Sequence, residues 1–395
     1  MSLIDISGYL LFIAFIAYLV ATLLFGGAIK SKKPDGAVQR AEKWGKVAIT
    51  VTIIGLLSQL GYFITRWIYT GHAPVSNMFE FTTAFGMFIV GAFILIYFMY
   101  RVVVLGFVAL PIAILIIAYA AMFPNEVNPL VPSLQSYWLT VHVITAALGQ
   151  SILAISAVAG LIYLLKDINS KQKSRNRFWL EFILYFVVLV VGFVVSSITF
   201  KAMDYEAQFT YVDKEEFESE IVYYMPAVFG MNEYQVLTDD VMEPLVEMPP
   251  IINAKKLTTV FWSFIFGTVI YLLIRLITRR RIIEMLQPLV QKVNLPLLDE
   301  IGYRSVLIGF PVFSLGALVF AMIWAQEAWG RFWGWDPKEV WALITWLFYA
   351  AFLHLRLSKG WEGRKSAWLA LVGFAIILFN LIVVNLVIAG LHSYA

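Results

Sequence analysis

The chain of 395 residues contains no cysteine, only four histidines, and few charged residues (14%). Without cysteine it can form no disulfide, bind no metal through thiolates and use no thiol nucleophile. Any thiol chemistry must therefore come from a partner or a substrate. The shortage of charge, with 61% hydrophobic residues and a mean hydropathy of +0.80, excludes an ordinary soluble globular domain.

Apolar runs of about 20 residues recur along the whole chain, and each is long enough to cross the hydrocarbon core of a bilayer. We predict an all-α fold, a polytopic transmembrane helical bundle of about ten spans. The predicted spans are 8–29, 47–70, 78–100, 102–123, 137–165, 178–200, 257–277, 304–325, 339–357 and 366–390.

Basic residues are unevenly distributed between the loops on the two sides of this bundle. One side holds 22 of the 29 lysines and arginines, and the positive-inside rule makes that side cytoplasmic. Both termini are then expected to be extracytoplasmic. The expected outer loops are 71–77, 124–136, 201–256 and 326–338.

We divide the chain into three parts. Residues 1–177 form an N-terminal membrane bundle of five spans, 178–277 a pair of spans with a long outer segment, and 278–395 a C-terminal membrane bundle. Within the pair, 201–256 holds twelve acidic residues against four basic ones. Charge runs usually mark solvated surface, which favours a small acidic extracytoplasmic subdomain. A docking surface for a basic partner is the alternative.

Six of the thirteen tryptophans fall between residues 324 and 346. At their centre, residues 329–339 read Trp-Gly-Arg-Phe-Trp-Gly-Trp-Asp-Pro-Lys-Glu. A dense aromatic shelf at a membrane edge could hold a large flat ligand by offset stacking. The alternative is an aromatic belt, although anchoring takes only one or two rings per helix end.

Depth distinguishes the four histidines. His72, His142 and His392 are expected near the outer side, whereas His354 lies more than about 20 Å below the outer start of its helix. Ionisable side chains inside a membrane usually mark a ligand or ion path, and imidazole is a common axial ligand of haem iron. Each histidine could instead be a core residue that donates to a carbonyl.

The charged residues beside the tryptophans have two interpretations. Asp336, Pro337 and Glu339 fit the N-cap, N1 and N3 positions of a capping box, which needs no chemistry. Arg331 and Lys338 remain as outer cations that haem propionates could pair with. In a second polar pair, Arg66 and Glu80 could simply neutralise one another.

Several of these segments together resemble a known family. Residues 329–339 resemble the tryptophan-rich WWD signature of haem-handling membrane proteins. Their flanks resemble the CcsA/ResC type of the Ccs (System II) cytochrome c maturation machinery. The flanking matches are Gly-His-Ala-Pro-Val-Ser-Asn-Met-Phe-Glu at 71–80, Leu-Gln-Ser-Tyr-Trp-Leu-Thr-Val-His at 134–142, Trp-Leu-Phe-Tyr-Ala-Ala-Phe-Leu-His-Leu-Arg at 346–356, and Gly-Leu-His-Ser-Tyr at 390–394. The resemblance covers most of 47–165 and 300–395. Compared with the shorter plastid-type members, residues 178–277 look like an insertion, which the family pattern does not explain.

The resemblance implies a function and a set of haem-binding residues. His142 and His392 would be axial ligands of haem b, bound as substrate at an extracytoplasmic site, and His354 would bind haem in transit. The WWD segment would present haem to apocytochrome c, whose Cys-X-X-Cys-His thiols form thioethers with it in a cytochrome c synthase (haem lyase) complex. The residues implied to bind haem are His142, His354, His392, Trp329, Arg331, Trp333, Trp335, Asp336 and Lys338.

The resemblance also implies partners and a location. His354 is the only histidine at its depth, so haem there would be five-coordinate or would take a second ligand from elsewhere, such as a methionine or a residue of another subunit. The family favours a CcsB/ResB-type membrane subunit. Other expected partners are apocytochrome c, a thiol-reducing protein and membrane lipids, but not nucleic acid, in a bacterial plasma membrane or thylakoid-like membrane. The alternatives are a protein that loads a separate haem chaperone, and an unrelated membrane transporter.

Overall fold

The computed structural model describes residues 2–30, 37–127, 130, 134–212, 218–249 and 252–384. Ten of its helical segments are long and apolar enough to cross a membrane. Helices are the natural solution for such segments, because each backbone polar group is then satisfied within its own segment. The predicted all-α polytopic bundle of about ten spans is thus confirmed. His392 lies outside the described residues.

The described residues form twelve α-helices, in addition to the strands given below. Two short π-helical segments, Leu315–Phe320 and Asn380–Val384, continue α9 and α12. The helices are α1 (Leu3–Lys30), α2 (Ala37–Thr70), α3 (Met78–Tyr100), α4 (Val103–Ala120), α5 (Tyr137–Asp167), α6 (Arg175–Ala202), α7 (Ala254–Thr278), α8 (Ile282–Val290), α9 (Leu295–Ser314), α10 (Ala321–Trp329), α11 (Pro337–Lys359) and α12 (Arg364–Phe379).

Several helices extend beyond the predicted spans because capping residues, rather than hydropathy, set their ends. The eighth span was predicted to begin at 304, but α9 begins at Leu295, after Asn294. The Asn294 side chain accepts a hydrogen bond from the backbone N–H of Leu297, as an N-cap does. The short helix α8 was not predicted at all, since it is too short to cross a membrane.

The chain divides into two compact units, Met1–Asn169 with Leu286–Ala395, and Ser170–Met285. In the first unit, α5 is the central helix and packs against α3, α4, α9 and α12. The candidate site is built around the first turns of α5. That 178–277 is an insertion stays a prediction.

The tightest packing in the first unit is between α5 and the run from α9 into the π-helical segment. Gly302, Gly309 and Gly316 recur every seven residues and face α5. A Cβ at Gly316 would lie 2.2 Å from the backbone nitrogen of Ala146, closer than atoms can approach. Gly149 on α5 is equally restricted, because its Cβ would lie 2.5 Å from the backbone nitrogen of Phe313. Small residues therefore allow these two backbones to touch, as in other membrane helix pairs.

Buried hydrogen bonds connect the first three helices. The Tyr18 hydroxyl donates to the side-chain oxygen of Gln59 at 2.8 Å, and the Gln59 amide donates to the carbonyl of Thr83 at 3.1 Å. Both Tyr18 and Gln59 are fully buried. Because no water is available in a bilayer core, such satisfied polar contacts specify which helices pair.

The second unit contains α6, α7 and, between them, a small β subdomain that the sequence did not predict as strands. The strands are β1 (Ala207–Val212), β2 (Glu218–Tyr223), β3 (Phe229–Met231), β4 (Gln235–Val236) and β5 (Val246–Met248). Strands β2, β1 and β4 form an antiparallel sheet in that order, and β3 pairs with β5 in parallel.

A core of its own holds this subdomain together. Ala207, Phe209, Tyr223 and Ala227 are buried against one another. Burial raises the pKa of the Tyr223 hydroxyl, which donates a hydrogen bond to the carbonyl of Phe229. The acidic residues of 201–256 that the structure describes therefore lie on a small folded subdomain.

The close approach of α5 and α9 predicts opposite effects for the same substitution at two helical glycines. Gly149→Ala should destabilise the protein by about 1–3 kcal/mol, because the added methyl group overpacks against the backbone of α9. Gly91→Ala has nothing within 4 Å of the new Cβ and should be neutral or stabilising by up to about 1 kcal/mol. Thermal unfolding in detergent would measure both, and equal stability of the two variants would contradict the packing.

Candidate functional site: a histidine and tryptophan cavity

A cavity of about 190 Å³ lies at one end of the first unit. Its walls come from the 75–77 loop, the starts of α3, α5 and α11, the run from Phe313 to Trp333, and the end of α12. The side chains central to the site are Ser76, Asn77, His142, Gln150, Phe313, Trp324, Trp329, Trp333, Lys338, Glu339 and Asn380. We call this end of the bundle the cavity end.

His142 lies in the second turn of α5, on the cavity wall. Its Nδ1 is 2.9 Å from the carbonyl oxygen of Gly316, which can only accept a hydrogen bond. The contact therefore assigns the proton to Nδ1 and leaves the ring's lone pair on Nε2. The imidazole also stacks on the indole of Trp324, with centroids 5.7 Å apart and planes 9° apart. A histidine oriented in this way is suited to bind a metal through Nε2.

The π-helical segment explains why Gly316 can hold the histidine. It begins one residue before Gly316, and the absence of a side chain there lets the Gly316 carbonyl approach α5. The same carbonyl accepts the N–H of Ala321, five residues further on, as π-helical turns require. Such turns occur frequently at functional sites.

The tryptophans of the predicted shelf occupy different environments. Trp324 is only 2% exposed and packs edge-on to Trp329, with centroids 4.7 Å apart. Trp329 and Trp333 line the cavity. Trp335 does not line it and is 69% exposed. The predicted shelf is therefore part cavity wall and part surface.

The predicted capping box at the start of α11 is confirmed. Asp336 is the N-cap and accepts from the N–H of Lys338 at 3.0 Å, and Pro337 is at N1. The Glu339 carboxylate accepts from the N–H groups of Asp336, at 3.1 Å, and Gly334, at 2.7 Å. The box thus shapes the loop that carries Trp333, and Glu339 itself lines the cavity.

The two cations that were predicted to pair with haem propionates, Arg331 and Lys338, lie in different environments. Lys338 lines the cavity. Arg331 is exposed, does not line it, and lies across Gly334, where its guanidinium occupies the space that a Cβ would need. Lys338 is therefore the one of the two positioned to meet an anionic group inside the cavity.

Arg66 and Glu80 form the predicted ion pair, with 2.7 Å between Nε and Oε1. Both side chains are buried. The other Glu80 oxygen accepts from the N–H and the hydroxyl of Ser76, at 3.0 and 2.7 Å, and Arg66 also donates to the carbonyl of Asn125. The pair therefore holds Ser76, and with it one wall of the cavity, in place.

Of the other histidines, His72 and His354 do not line the cavity, and His392 lies outside the described residues. His72 does not line the cavity, and its Nδ1 lies 3.1 Å from the carbonyl of Ala73. His354 is exposed on α11, and within the described part of the chain no group of three or more histidine, aspartate or glutamate side chains could hold a metal ion there. His392 is not described, but Asn380 and Leu381, on the same stretch of chain, line the cavity.

Sequence reasoning missed part of this site. Trp324 was counted with the shelf but not chosen as a site residue, and Ser76, Gln150 and Phe313 were not considered. The seven-residue spacing of Gly302, Gly309 and Gly316 was the available signal, since it indicates a close helix contact that brings Phe313 and Trp324 to α5.

Comparisons with known proteins show the family of this chain. Residues 257–392 match the family model described as Cytochrome C assembly protein. The chain is 32% identical to the cytochrome c biogenesis protein CcsA of Crocosphaera subtropica over 357 residues, which cover 89% of this chain and 87% of that protein. The chain belongs to the CcsA family.

Two further CcsA proteins extend the similarity. The protein from Pyropia yezoensis is 30% identical over 87% of this chain and 86% of its own length. The protein from Gloeobacter violaceus is 28% identical over 96% of this chain and 94% of its own length. Family membership and the ten apolar helices together make this chain an integral membrane protein of cytochrome c biogenesis.

Proposed function

We propose that this chain binds haem in the cavity and presents it to apocytochrome c for covalent attachment. The observation that carries the proposal is His142, which lies on the cavity wall with its proton directed to a backbone carbonyl and its ring stacked on Trp324. Neutral imidazole held in this tautomer is the common protein ligand of haem iron.

The other residues of the cavity fit the same substrate. Haem is large, flat and mostly apolar, with two carboxylates at one edge. Trp329, Trp333 and Phe313 supply aromatic and apolar surface, and Lys338 supplies a cation for a carboxylate. No described side chain in the wall provides a thiol, because the chain has none.

His392 is our candidate for the second axial ligand at this site. It follows Val384, where the described chain ends, by eight residues, and the segment before Val384 already lines the cavity. Eight residues reach about 12 Å as a helix and more if extended, so His392 is within reach of the cavity.

In the reaction we propose, each thiol of an apocytochrome Cys-X-X-Cys-His sequence adds across a haem vinyl group. A carbon–sulfur bond forms and the thiol proton goes to the other vinyl carbon, so nothing is oxidised or reduced overall. The chain itself contributes ligation by His142, orientation by the tryptophans and the exclusion of side reactions. Keeping the thiols reduced falls to other proteins.

We further propose that the cavity end is extracytoplasmic. The support is the charge distribution, since most basic loop residues fall at the opposite ends of the spans. Apocytochrome c would then meet haem outside the cytoplasm.

The inner histidine supports a second proposal, that haem passes through a site shared with a CcsB/ResB-type subunit. His354 is exposed, while Arg356, two residues on, is held inward by Asp299 of α9 at 2.7 Å. That ion pair orients α11 so that His354 is directed away from the bundle. An exposed histidine at membrane depth can complete a bis-histidine site only with a ligand from another protein.

The proposal for the outer site predicts the effect of removing its ligand. His142→Ala should abolish cytochrome c maturation and leave haem in the outer site unstable to oxidation, as should His392→Ala. Added imidazole should partly restore both, because the ligand is then supplied from solution. His72→Ala is the matched control and should mature cytochrome c normally, since His72 does not line the cavity. Normal maturation in His142→Ala would refute the proposal.

The environments of the tryptophans predict unequal roles. Trp333→Ala should lower the haem content of the purified protein about fivefold, the effect of losing a stacking contact of roughly 1 kcal/mol. Trp335→Ala should lower it much less, because Trp335 is exposed and outside the cavity. Pyridine haemochrome assays at equal protein level would compare them. Equal losses would show that the binding surface extends beyond the cavity.

The shared inner site is best tested in a variant whose outer site has lost its proposed haem ligands and so cannot contribute to the haem spectrum. In a His142→Ala/His392→Ala background, the chain expressed alone should hold little low-spin haem. Coexpression with its CcsB/ResB-type subunit should give a bis-histidine visible spectrum, which His354→Ala abolishes. A full bis-histidine spectrum from the chain alone in this background would contradict a shared site.

A further inference from the structure

The second unit, Ser170–Met285, has its charges segregated to the two ends of its helices. Segment 201–256 holds twelve acidic and four basic residues, whereas the rest of the unit holds eight basic and two acidic ones. The eight are Lys171, Lys173, Arg175, Arg177, Arg275, Arg279, Arg280 and Arg281. We call them the basic collar.

The antiparallel pairing of α6 and α7 brings the collar together. A Cβ at Gly192 would meet the backbone of Gly267, and the Tyr185 hydroxyl lies 2.8 Å from that of Thr268. The Tyr271 hydroxyl donates to Glu181. This register places the start of α6 beside the end of α7.

The two carboxylates near the collar are engaged with other groups. Glu181 is buried and accepts from the N–H groups of Ile282 and Ile283, at the start of α8. Glu284 accepts from the N–H of Arg281. Neither neutralises the exposed cations, and within the described part of the chain Lys173, Arg175, Arg279 and Arg280 form no ion pair.

One member of the collar shapes the turn before α6. Arg177 is only 8% exposed, and its Nη1 donates to the carbonyls of Ser170 and Lys171 at 3.2 and 3.4 Å. Ser174 caps the helix by accepting from the N–H of Arg177. The turn that carries Lys171 and Lys173 is thus folded around a buried guanidinium.

An exposed aromatic face follows the collar directly along α6. Phe178, Trp179, Phe182 and Phe186 are 61%, 42%, 40% and 50% exposed and contact one another edge-on along the helix. Tryptophan is enriched at membrane–water interfaces, so Trp179 marks the boundary between headgroups and hydrocarbon, and the phenylalanines that follow it suit the hydrocarbon. Because α6 has 28 residues, it is about 42 Å long and exceeds the hydrocarbon thickness. The collar is therefore at headgroup level.

We propose that the basic collar binds the phosphate groups of anionic phospholipids. The four exposed cations Lys173, Arg175, Arg279 and Arg280 lie at the level of lipid headgroups and form no ion pair with the described residues. They stand beside aromatic rings suited to the acyl-chain boundary. Clusters of four to eight lysines and arginines next to a membrane helix attract anionic lipid in this way. The second unit is thereby anchored to anionic lipid independently of haem.

Spin-labelled phosphatidylglycerol and phosphatidylcholine, compared in membranes containing the full-length protein, measure the selectivity for anionic lipid. In Lys173→Gln/Arg175→Gln/Arg279→Gln/Arg280→Gln we expect the selectivity to fall by about fivefold or more, the effect of losing at least one cation near the surface. The selectivity of the unchanged protein should also fall when the salt concentration rises.

The matched control removes four exposed cations from the first unit, as Lys43→Gln/Lys46→Gln/Lys359→Gln/Lys365→Gln, and should retain most of the selectivity. Equal loss in the two variants would overturn the proposal, and so would unchanged selectivity in the collar variant. Displacement of the spin-labelled lipid by millimolar inorganic phosphate would show a general anion site instead. Loss of a copurifying acidic protein with selectivity unchanged would assign the collar to a protein partner.

Discussion

The candidate site depends on how closely α5 approaches the α9 run. Gly149 and Gly316 let the two backbones touch, and this contact brings the carbonyl of Gly316 to the imidazole of His142. The π-helical segment at that point supplies the carbonyl without a side chain to obstruct it. Since the same contact seats Trp324 against the histidine, a larger residue at either glycine would disturb packing and site together.

Two other walls of the cavity are held in place by carboxylates that accept backbone hydrogen bonds. Glu80, paired with Arg66, holds Ser76 in the loop before α3. Glu339 holds the loop before α11 through the N–H groups of Gly334 and Asp336. In both cases a carboxylate near a helix N-terminus binds backbone donors that would otherwise be unsatisfied, which gives two irregular loops a defined shape. These two carboxylates thus fix the shape of the cavity walls, and Glu339 also lines the cavity beside Lys338, His142 and the tryptophans.

The second unit separates its acidic residues from its basic ones. Its acidic residues surround a small β subdomain with a core of Phe209 and Tyr223, while its basic residues collect at the other end of α6 and α7. Glu181, which lies near the collar, is buried and satisfied by the start of α8. Each end of this unit is therefore enriched in one sign of charge.

The amino-acid sequence by itself determined the ten helices, the capping box at Asp336, the Arg66–Glu80 pair and the family. These features depend on local hydropathy, on side chains 3 to 14 residues apart, or on motifs contiguous in the chain. Only the tertiary structure decided which tryptophans face the cavity, that Trp335 and Arg331 do not, and that Gly316 orients His142 from 174 residues away. It also decided that His354 faces outward, because the Arg356–Asp299 contact sets the rotation of α11, and hydropathy cannot specify a rotation when every face of a helix is apolar. The strands of 201–256 were missed for a different reason, since they are only two to six residues long and charged residues obscured their alternation.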